Sequence, residues 1–366
     1  MNRLVVRTRG LLRNLVNLES SLQPSIRGRP YFAFVTSVSG FDNKHTYYKT
    51  QIRPRWTYGD DACFVSITEA SCVLGVADGV GGWRSYGVDP SNFSKKFMSA
   101  CERLARSGRF QPDEPMLLVT EGYHEVLEAK TPLLGSATFC IISLCRSDGR
   151  LYTVCLGDSG YLIIRRGGIL QRSAHQKHAL NTPFQLACLP PNEHGHFHRD
   201  GPEQAIQSSV KLEPGDIVVV GTDGLFDNLT DSMILQEVQP LEGVKCTSES
   251  DDLLDLCATR LVNCARHAAE NPNFVSPFAN EARQYGLNIA GMLCSITLII
   301  PFSSLCQSYR LYSSSYFSQS CHCCLHLLDR HACYCSYHPL IILSSLLGSF
   351  SVVPCCQQLA LVVKQH

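Results

Sequence analysis

The middle of the sequence predicts an α+β domain built of packed layers. From about residue 56 onward, short β-rich runs alternate with turns that contain Gly and Asp. A strand pair is followed by two stretches of helical spacing, then by a series of strands and further helical spacing. This order is typical of sheets covered by helices. The length of 366 residues allows roughly one to three domains of ~100–200 residues each.

Each predicted element has its own signal in the sequence. The helix predicted at 90–106 has apolar residues at helical spacing, Phe93, Phe97, Cys101 and Leu104, with Ser91 as its expected cap. Two glycines at 167–168 predict a hairpin turn. The other helices are expected at 116–127 and 251–269, and the strands at 62–67, 72–77, 136–145, 151–156, 161–165 and 217–221.

Composition excludes several classes of protein. The 32 Lys and Arg balance the 32 Asp and Glu, which argues against a chain that coats nucleic acid. A hydrophobic content of 45% argues against global disorder. No run of about 18 apolar residues lacks charge, so we expect no transmembrane helix.

The first 30 residues differ from the rest in charge. They hold six arginines, one acid and no lysine, with a weakly amphipathic set of leucines. This pattern is typical of a mitochondrial transit peptide, and the alternative is a basic surface helix. We therefore predict a transit peptide and linker at 1–40, with cleavage between about 25 and 45 where Pro and Gly favour a loop, and a mitochondrial matrix location.

Acidic residues follow apolar strands at four places. They are Gly59-Asp60-Asp61, Asp78-Gly79, Gly157-Asp158 and Asp223-Gly224. One Asp-Gly pair is usually only a turn. Four pairs at strand ends can meet at one edge of a layered fold, where their mutual repulsion calls for a cation. Oxygen ligands favour a hard divalent ion such as Mg²⁺ or Mn²⁺.

Five motifs together resemble the PPM (type 2C) family of metal-dependent protein serine/threonine phosphatases over residues 57–290. In family order they are Gly59-Asp60-Asp61-Ala62, Val76-Ala77-Asp78-Gly79-Val80-Gly81-Gly82, Gly135-Ser136-Ala137-Thr138, Gly157-Asp158-Ser159 and Thr222-Asp223-Gly224-Leu225-Phe226-Asp227. Trp83, Arg84 and the run 287–290 are similar to the mitochondrial branch of the family, which is linked to coenzyme Q biosynthesis.

The resemblance implies a fold and a set of functional residues. The fold is a four-layer αββα sandwich of two antiparallel sheets flanked by helices, with two Mn²⁺ or Mg²⁺ ions at one edge. The implied metal and catalytic residues are Asp78 bridging both ions, the Gly79 carbonyl, Asp61 beside a bound water, and Asp223. Asp158 is implied as a supporting or third-metal group, and Asp227 as structural.

The implied reaction is direct hydrolysis of phosphoserine or phosphothreonine by a metal-activated water. An Arg usually holds the phosphate, and Arg53 and Arg55 are the candidates. The expected substrates are phosphorylated mitochondrial proteins, including those of coenzyme Q biosynthesis. A small-molecule phosphatase would use the same site, because specificity lies in loops such as 176–201.

Two other motifs point to weaker alternatives. Gly157-Asp158-Ser159-Gly160 spells a serine-protease tetrapeptide, but no matching His context accompanies it. The histidines at 194, 196 and 198 could bind zinc, although short His tracts are more often polar loops.

The end of the chain departs from the family. Where the family carries a further metal-ligand Asp, this chain has Cys294, and a thiolate is a poor ligand for a hard cation. The alternative function is therefore a weakened pseudophosphatase or adaptor. We predict a phosphatase domain at 41–290, altered at its last strands.

The remaining residues, 291–366, are expected to form a poorly ordered tail rich in Cys and Ser. Only four of these 76 residues are charged, and nine of the 19 cysteines lie here. Alternative functions for the tail are a zinc site, a disulfide framework or contact of the apolar run 340–353 with a membrane surface.

Overall fold

A computed structural model describes residues 31–41, 57–129, 133–191, 198–244, 248–289, 296–306, 350–355 and 358–363. The chain divides into two compact units, Met1–Arg310 and Leu311–His366. No helix in the described ranges is long and apolar enough to cross a membrane.

The described elements confirm the expected mixture of strands and helices. The helices are α1 Ser91–Ala105, α2 Pro115–Leu127, α3 Asp223–Phe226, α4 Asp231–Val238, α5 Ser248–Glu270 and α6 Pro277–Gln284. The strands are β1 Tyr31–Phe41, β2 Thr57–Tyr58, β3 Asp61–Ile67, β4 Ser71–Gly79, β5 Gly135–Cys145, β6 Arg150–Leu156, β7 Gly160–Arg165, β8 Gly168–Arg172, β9 Lys177–Ala179, β10 Thr182–Pro183, β11 Leu186–Cys188, β12 Ile206–Lys211, β13 Ile217–Gly221, β14 Ile296–Cys306, β15 Phe350–Cys355 and β16 Gln358–Val363.

Two antiparallel sheets form the centre of the first unit. One has seven strands in the order β12-β6-β5-β4-β3-β2, with β11 also paired to β5. The other has five strands in the order β1-β14-β13-β7-β8. In the second unit, β15 and β16 form a hairpin, so the tail predicted to be poorly ordered contains regular structure there.

Three apolar clusters show how the layers stack. Leu74, Ile142 and Val218 belong to a buried cluster that joins residues of both sheets. A second cluster joins the seven-stranded sheet to α1 and α2, and a third joins the five-stranded sheet to α4 and α5. The result is the four-layer αββα sandwich that the resemblance implies.

Helix α1 confirms the predicted apolar spacing but not the predicted cap. Phe93, Phe97 and Cys101 are fully buried, and the Phe97 ring meets Phe139 of β5 edge to face. Ser91 lies inside the helix rather than at its cap. The Asp89 carboxylate accepts from the Ser91 amide at 3.0 Å, because the sequence Asp89-Pro90 places a carboxylate just ahead of the first helical amides.

The sequence predicts a loop between about residues 25 and 45. This prediction is wrong for residues 31–41, which form β1. This strand pairs with β14 along its whole length. Phe34 and Val38 lie on one face in the cluster between the sheets, while Val35 packs in the outer cluster. This alternation stabilises a strand buried on both faces, and it outweighs the turn preference of Gly40.

The domain boundary predicted at residue 290 is also too early. Residues 296–306 form β14, which lies between β1 and β13 in the five-stranded sheet. A domain limited to 41–290 would therefore lose two adjacent strands of that sheet. The described strands of the domain therefore begin at residue 31 and end at residue 306, and Cys294 itself lies outside the described residues.

Arg146 links the two sheets at the end of β5. Its side chain donates to the Phe32 carbonyl at 3.3 Å and to the Thr68 carbonyl at 2.5 Å, and its guanidinium lies over the Tyr31 ring. The residue is 4% exposed. A buried guanidinium is stable here because carbonyls and an aromatic face replace water around it.

We expect Phe34→Ala to lower the free energy of unfolding by about 3–5 kcal/mol, as for other buried aromatics. The reason is the cavity it would open between the two sheets. Denaturant titration measures the effect.

The matched control is Leu170→Ala on β8, since Leu170 is 44% exposed and should change stability little. A chain that starts at residue 42 should unfold at lower denaturant than one that starts at residue 30. Equal stability of those two chains would show that β1 is dispensable.

Candidate metal centre

Asp61 and Asp78 face each other across neighbouring strands. Asp61 begins β3 and Asp78 lies near the end of β4, and the two residues are directly paired in the antiparallel register. Like charges directly opposite each other on two strands repel. Asp61 is fully buried, whereas Asp78 keeps partial access to solvent. This pair forms the floor of the site on the seven-stranded sheet.

Asp223 reaches the same point from the other sheet. Strand β13 ends at Gly221, and the Thr222 hydroxyl then donates to Asp61 Oδ2 at 3.0 Å. This bond fixes the start of α3, so that the Asp223 carboxyl lies close enough to that of Asp78 for each to change the pKa of the other. The other Asp223 oxygen, Oδ1, is buried with no hydrogen-bond partner. Two sheets thus bring three carboxyl groups together.

The crowding changes how these acids ionise. Burial, with the nearby charge of Asp61, raises the pKa of Asp78 well above its usual range. Burial, with the charge of Asp78, raises the pKa of Asp223 in the same direction. Each group is costly to ionise while the other is charged, so without a cation the pair keeps its protons to higher pH than ordinary aspartates do.

A second carboxyl pair lies beside the first. Asp158, after β6, and Asp227, at the end of α3, are both nearly fully buried. Burial raises the pKa of each to about 7, although the charge of Lys177 opposes this shift. Lys177 in turn donates to Glu281 of α6 at 2.9 Å. The second pair therefore has a cation built into the chain, whereas no cation in the part of the chain that the structure describes contacts the first pair.

Gly79 is required by the close approach of the surrounding backbone. Its amide donates to the Asp60 carbonyl at 3.2 Å. A Cβ at this position would lie 2.5 Å from the Pro90 carbonyl oxygen, which is far inside contact distance. The Ser94 hydroxyl donates to the same Asp60 carbonyl at 2.5 Å. The turn that carries Asp60 is thereby locked against the end of β4.

The residues fit a hard divalent cation. The side-chain atoms that could bind the ion are all oxygens, and the buried Asp223 Oδ1 has no hydrogen-bond partner. Asp78 and Asp223 are also partly open to solvent. In the described part of the chain, no three His, Cys, Asp or Glu side chains are placed to hold an ion by themselves. An ion here would therefore complete its coordination with backbone carbonyl oxygen and water, as Mg²⁺ commonly does.

The structure brings together most of the residues proposed from the sequence. Asp61, Asp78, Gly79 and Asp223 lie at one edge, and Asp158 supports them through its charge. The phosphate-binding candidates Arg53 and Arg55 and the replaced ligand position Cys294 lie outside the described residues.

Of the two alternative motifs, the protease-like one takes a structural position, and the histidine run is described only at His198. Ser159 is fully buried and its hydroxyl bonds to the Thr138 hydroxyl at 2.7 Å, which leaves it inaccessible as a nucleophile. His198 stacks on His178, whose ring bonds to the Asp200 carboxylate. His194 and His196 lie outside the described residues, so the zinc alternative stays a prediction.

Sequence reasoning missed several charged residues of the site. Lys177 begins the short strand β9, and no motif in the sequence pointed to it. Asp227, which the resemblance implies is structural, is a buried acid whose pKa is raised by burial and by the charge of Asp158. Arg84 forms an ion pair with Asp60, next to Asp61. In the sequence, Trp83 and Arg84 indicate only similarity to the mitochondrial branch of the family.

Comparison with known proteins supports the same interpretation. The chain is 45% identical over 260 residues to the protein phosphatase PTC7 homolog of Xenopus laevis, a match that spans 71% of this chain and 85% of that protein. The human PTC7 homolog is also 45% identical over 260 residues, spanning 83% of its length. No family model matches the chain.

One solved structure is also informative. The X-ray structure of the photosystem II phosphatase PBCP superposes with a TM-score of 0.61 at 26% identity, covering 74% of this chain and 98% of that one.

We expect Asp223→Asn to raise the melting temperature of the protein in a chelator at pH 8. The substitution replaces a carboxyl group whose pKa is raised in the folded protein. Such a carboxyl group lowers the free energy of unfolding as the pH rises. A rise of a few degrees corresponds to about 1 kcal/mol in a domain of this size. Thermal denaturation at several pH values measures it.

The difference between variant and parent should shrink as the pH falls through 4, because the parent carboxyl then becomes protonated in the unfolded state as well. Adding Mn²⁺ should stabilise the parent but not Asp223→Asn. The control is Asp113→Asn, at an exposed position before α2. A parent that is more stable than Asp223→Asn in the chelator at pH 8 would contradict the repulsion.

Proposed function

Since the chain belongs to the PPM-type protein serine/threonine phosphatases of the PTC7 group, we propose that it hydrolyses phosphoserine and phosphothreonine with two Mn²⁺ or Mg²⁺ ions held at Asp61, Asp78, Gly79 and Asp223. The observation that carries this proposal is that Asp61 and Asp78 face each other on one sheet while the Thr222–Asp61 hydrogen bond brings Asp223 to them from the other. A buried acidic pair of this kind binds cations rather than an anionic substrate by itself.

The bound ions would supply a water of lowered pKa and would offset charge on the phosphoryl oxygens. The chain's own residues provide the frame. Asp78 sits on a central strand held by β3 on one side and β5 on the other. Thr222 fixes the Asp61 carboxylate, so the donor oxygens keep their positions when solvent enters.

Direct hydrolysis is the reaction that fits these residues. Ser159, the hydroxyl in the motif beside Asp158, is buried and bonded to Thr138. Burial raises the pKa of the Cys63 thiol, the cysteine that follows the acidic pair on β3, which disfavours its thiolate. A phosphoenzyme on either group is therefore disfavoured, and water is the remaining nucleophile.

We place the protein in the mitochondrial matrix and its substrates among phosphorylated mitochondrial proteins. The support is the run of six arginines and one acid in residues 1–30, together with the similarity of Trp83 and Arg84 to the branch linked to coenzyme Q biosynthesis. Enzymes of coenzyme Q biosynthesis are the first substrates to test. A transit peptide would have to be cleaved before Tyr31, because β1 begins there.

The adaptor alternative has less support than the enzyme. Its motivation is Cys294, and the acids that the structure does describe are all present and clustered. The relatives are themselves named protein phosphatases. An adaptor would keep the surface loops but would not need three facing carboxyls at a strained edge.

We expect Asp78→Asn to lower Mn²⁺-dependent hydrolysis of a phosphothreonine peptide by at least about 100-fold. The substitution removes the carboxylate that lies between Asp61 and Asp223. Loss of a residue that only hydrogen-bonds to a metal ligand already lowers metal affinity or activity ~10–100-fold. A steady-state assay with the full chain measures it.

The matched control is Asp113→Asn, which should keep full activity. Unchanged turnover in Asp78→Asn would refute the assigned site. Parent activity on p-nitrophenyl phosphate with none on any phosphopeptide would favour a small-molecule phosphatase instead.

The location is tested separately. Residues 1–30 fused to a fluorescent protein should direct it to mitochondria, and replacing the six arginines with glutamine should leave it in the cytosol. Equal cytosolic signal from both fusions would contradict the transit peptide.

A further inference from the structure

Arg84 is a guanidinium placed at the mouth of the metal centre. It belongs to the 3₁₀ helix Gly81–Tyr86, which follows directly from the Asp78-Gly79 end of β4. Its Nη2 forms an ion pair with the Asp60 carboxylate. Asp60 precedes Asp61, and its carbonyl accepts from the Gly79 amide. The guanidinium is thus one residue away from the metal-binding acids.

The backbone beneath Arg84 is rigid. The buried Trp83 indole donates to Ser136 Oγ at 2.6 Å, and Ser136 Oγ donates to Gln185 Oε1 at 2.5 Å. Gly87 ends the helix in a left-handed conformation with φ 74°, and its amide donates to the Arg84 carbonyl at 3.0 Å. Neighbouring elements of the seven-stranded sheet therefore hold this turn in place.

The Arg84 side chain has open space around it. It is 46% exposed, and its Nη1 lies above Gly81, where an added Cβ would be 3.1 Å away. A Cβ on Gly82 would meet nothing within 4 Å. Among the described residues, Asp60 is the one side-chain partner that the structure shows for this guanidinium. Room and donors are both available for a ligand that enters over the two glycines.

The other cations near the site are held by side chains of the protein. Lys177 is mostly buried and bonded to Glu281. Arg172 lies over the Phe226 ring and pairs with Asp231. An anion that approaches this acidic edge needs positive charge beyond the metals, and a planar guanidinium suits two phosphate oxygens.

We propose that Arg84 contacts the phosphoryl group of the substrate, with Asp60 and the hydrogen-bonded residues Trp83, Ser136 and Gln185 as its positioning residues. This proposal rests on the proposed function. It assigns to Arg84 a contact for which the sequence suggested Arg53 and Arg55. The ligand class is a phosphate monoester dianion or inorganic phosphate.

The test compares the full chain with Arg84→Ala, Arg84→Lys and a control, Arg166→Ala. Arg166 is also an exposed arginine in an ion pair, with Glu213, but it follows β7 at the end opposite Gly160. Three quantities are measured: the Kd of inorganic phosphate with Mg²⁺ present, the KM and kcat for a phosphothreonine peptide and for p-nitrophenyl phosphate, and the Kd of Mn²⁺.

Arg84→Ala should raise the phosphate Kd and both KM values at least tenfold, with kcat lowered less than threefold. Arg84→Lys should fall between Arg84→Ala and the parent, because lysine keeps the charge without the planar fork. The Kd of Mn²⁺ and the melting temperature should not change, and Arg166→Ala should match the parent.

Three results would overturn the proposal. The first is an unchanged phosphate Kd in Arg84→Ala. The second is a raised KM for the peptide with an unchanged KM for p-nitrophenyl phosphate. The third is a loss of Mn²⁺ affinity in Arg84→Ala that is large enough to account for its weaker phosphate binding and raised KM. If the parent hydrolyses neither substrate, the proposed function fails, but the phosphate Kd still decides whether Arg84 binds the anion.

Discussion

Repulsion among carboxyl groups at the meeting edge of two sheets is the constraint on which the site depends. Asp61 and Asp78 are opposed within one sheet, and Asp223 is brought against them by the other. Each acid raises the cost of ionising its neighbours. An edge built in this way costs folding stability, and that cost is offset when a divalent cation binds.

The packing of the two sheets fixes the positions of these acids relative to one another. Apolar residues between the sheets keep β4 and β13 at a fixed distance, and the Thr222–Asp61 hydrogen bond joins their ends. Strands β1 and β14 complete the sheet that carries Asp223, and Arg146 ties β1 to the other sheet. Residues far apart in sequence are therefore needed for one local arrangement.

Charge is distributed differently in the two acidic pairs. Asp158 and Asp227 have the ammonium group of Lys177 near them, which is anchored by Glu281. Asp78 and Asp223 are partly open to solvent, and no cation among the described residues contacts them. This difference explains why an exchangeable ion is expected at the first pair. Arg84, tethered to Asp60, adds positive charge on the open side.

The sequence predicts elements well where one local signal dominates. The helix at 91–105 and the strand at 217–221 were expected because periodic apolar residues are flanked by turn residues. The clustering of the acids followed from their positions at strand ends.

Two kinds of feature could not be predicted from the sequence. Strands β1 and β14 depend on pairing with each other across more than 250 residues, and Pro and Gly nearby favour loops. Lys177 lies in a segment without periodicity, and only tertiary contact places it beside Asp158 and Asp227.

The central claim is that the crowded acids bind protons more tightly than ordinary aspartates do, and that a divalent cation displaces those protons. Calorimetric titration of the metal-free chain with Mn²⁺ at pH 7, in buffers of different ionisation enthalpy, counts the protons released on binding. The account predicts that about one proton or more leaves per protein in the parent, and fewer in Asp223→Asn. Tight Mn²⁺ binding without proton release would contradict it.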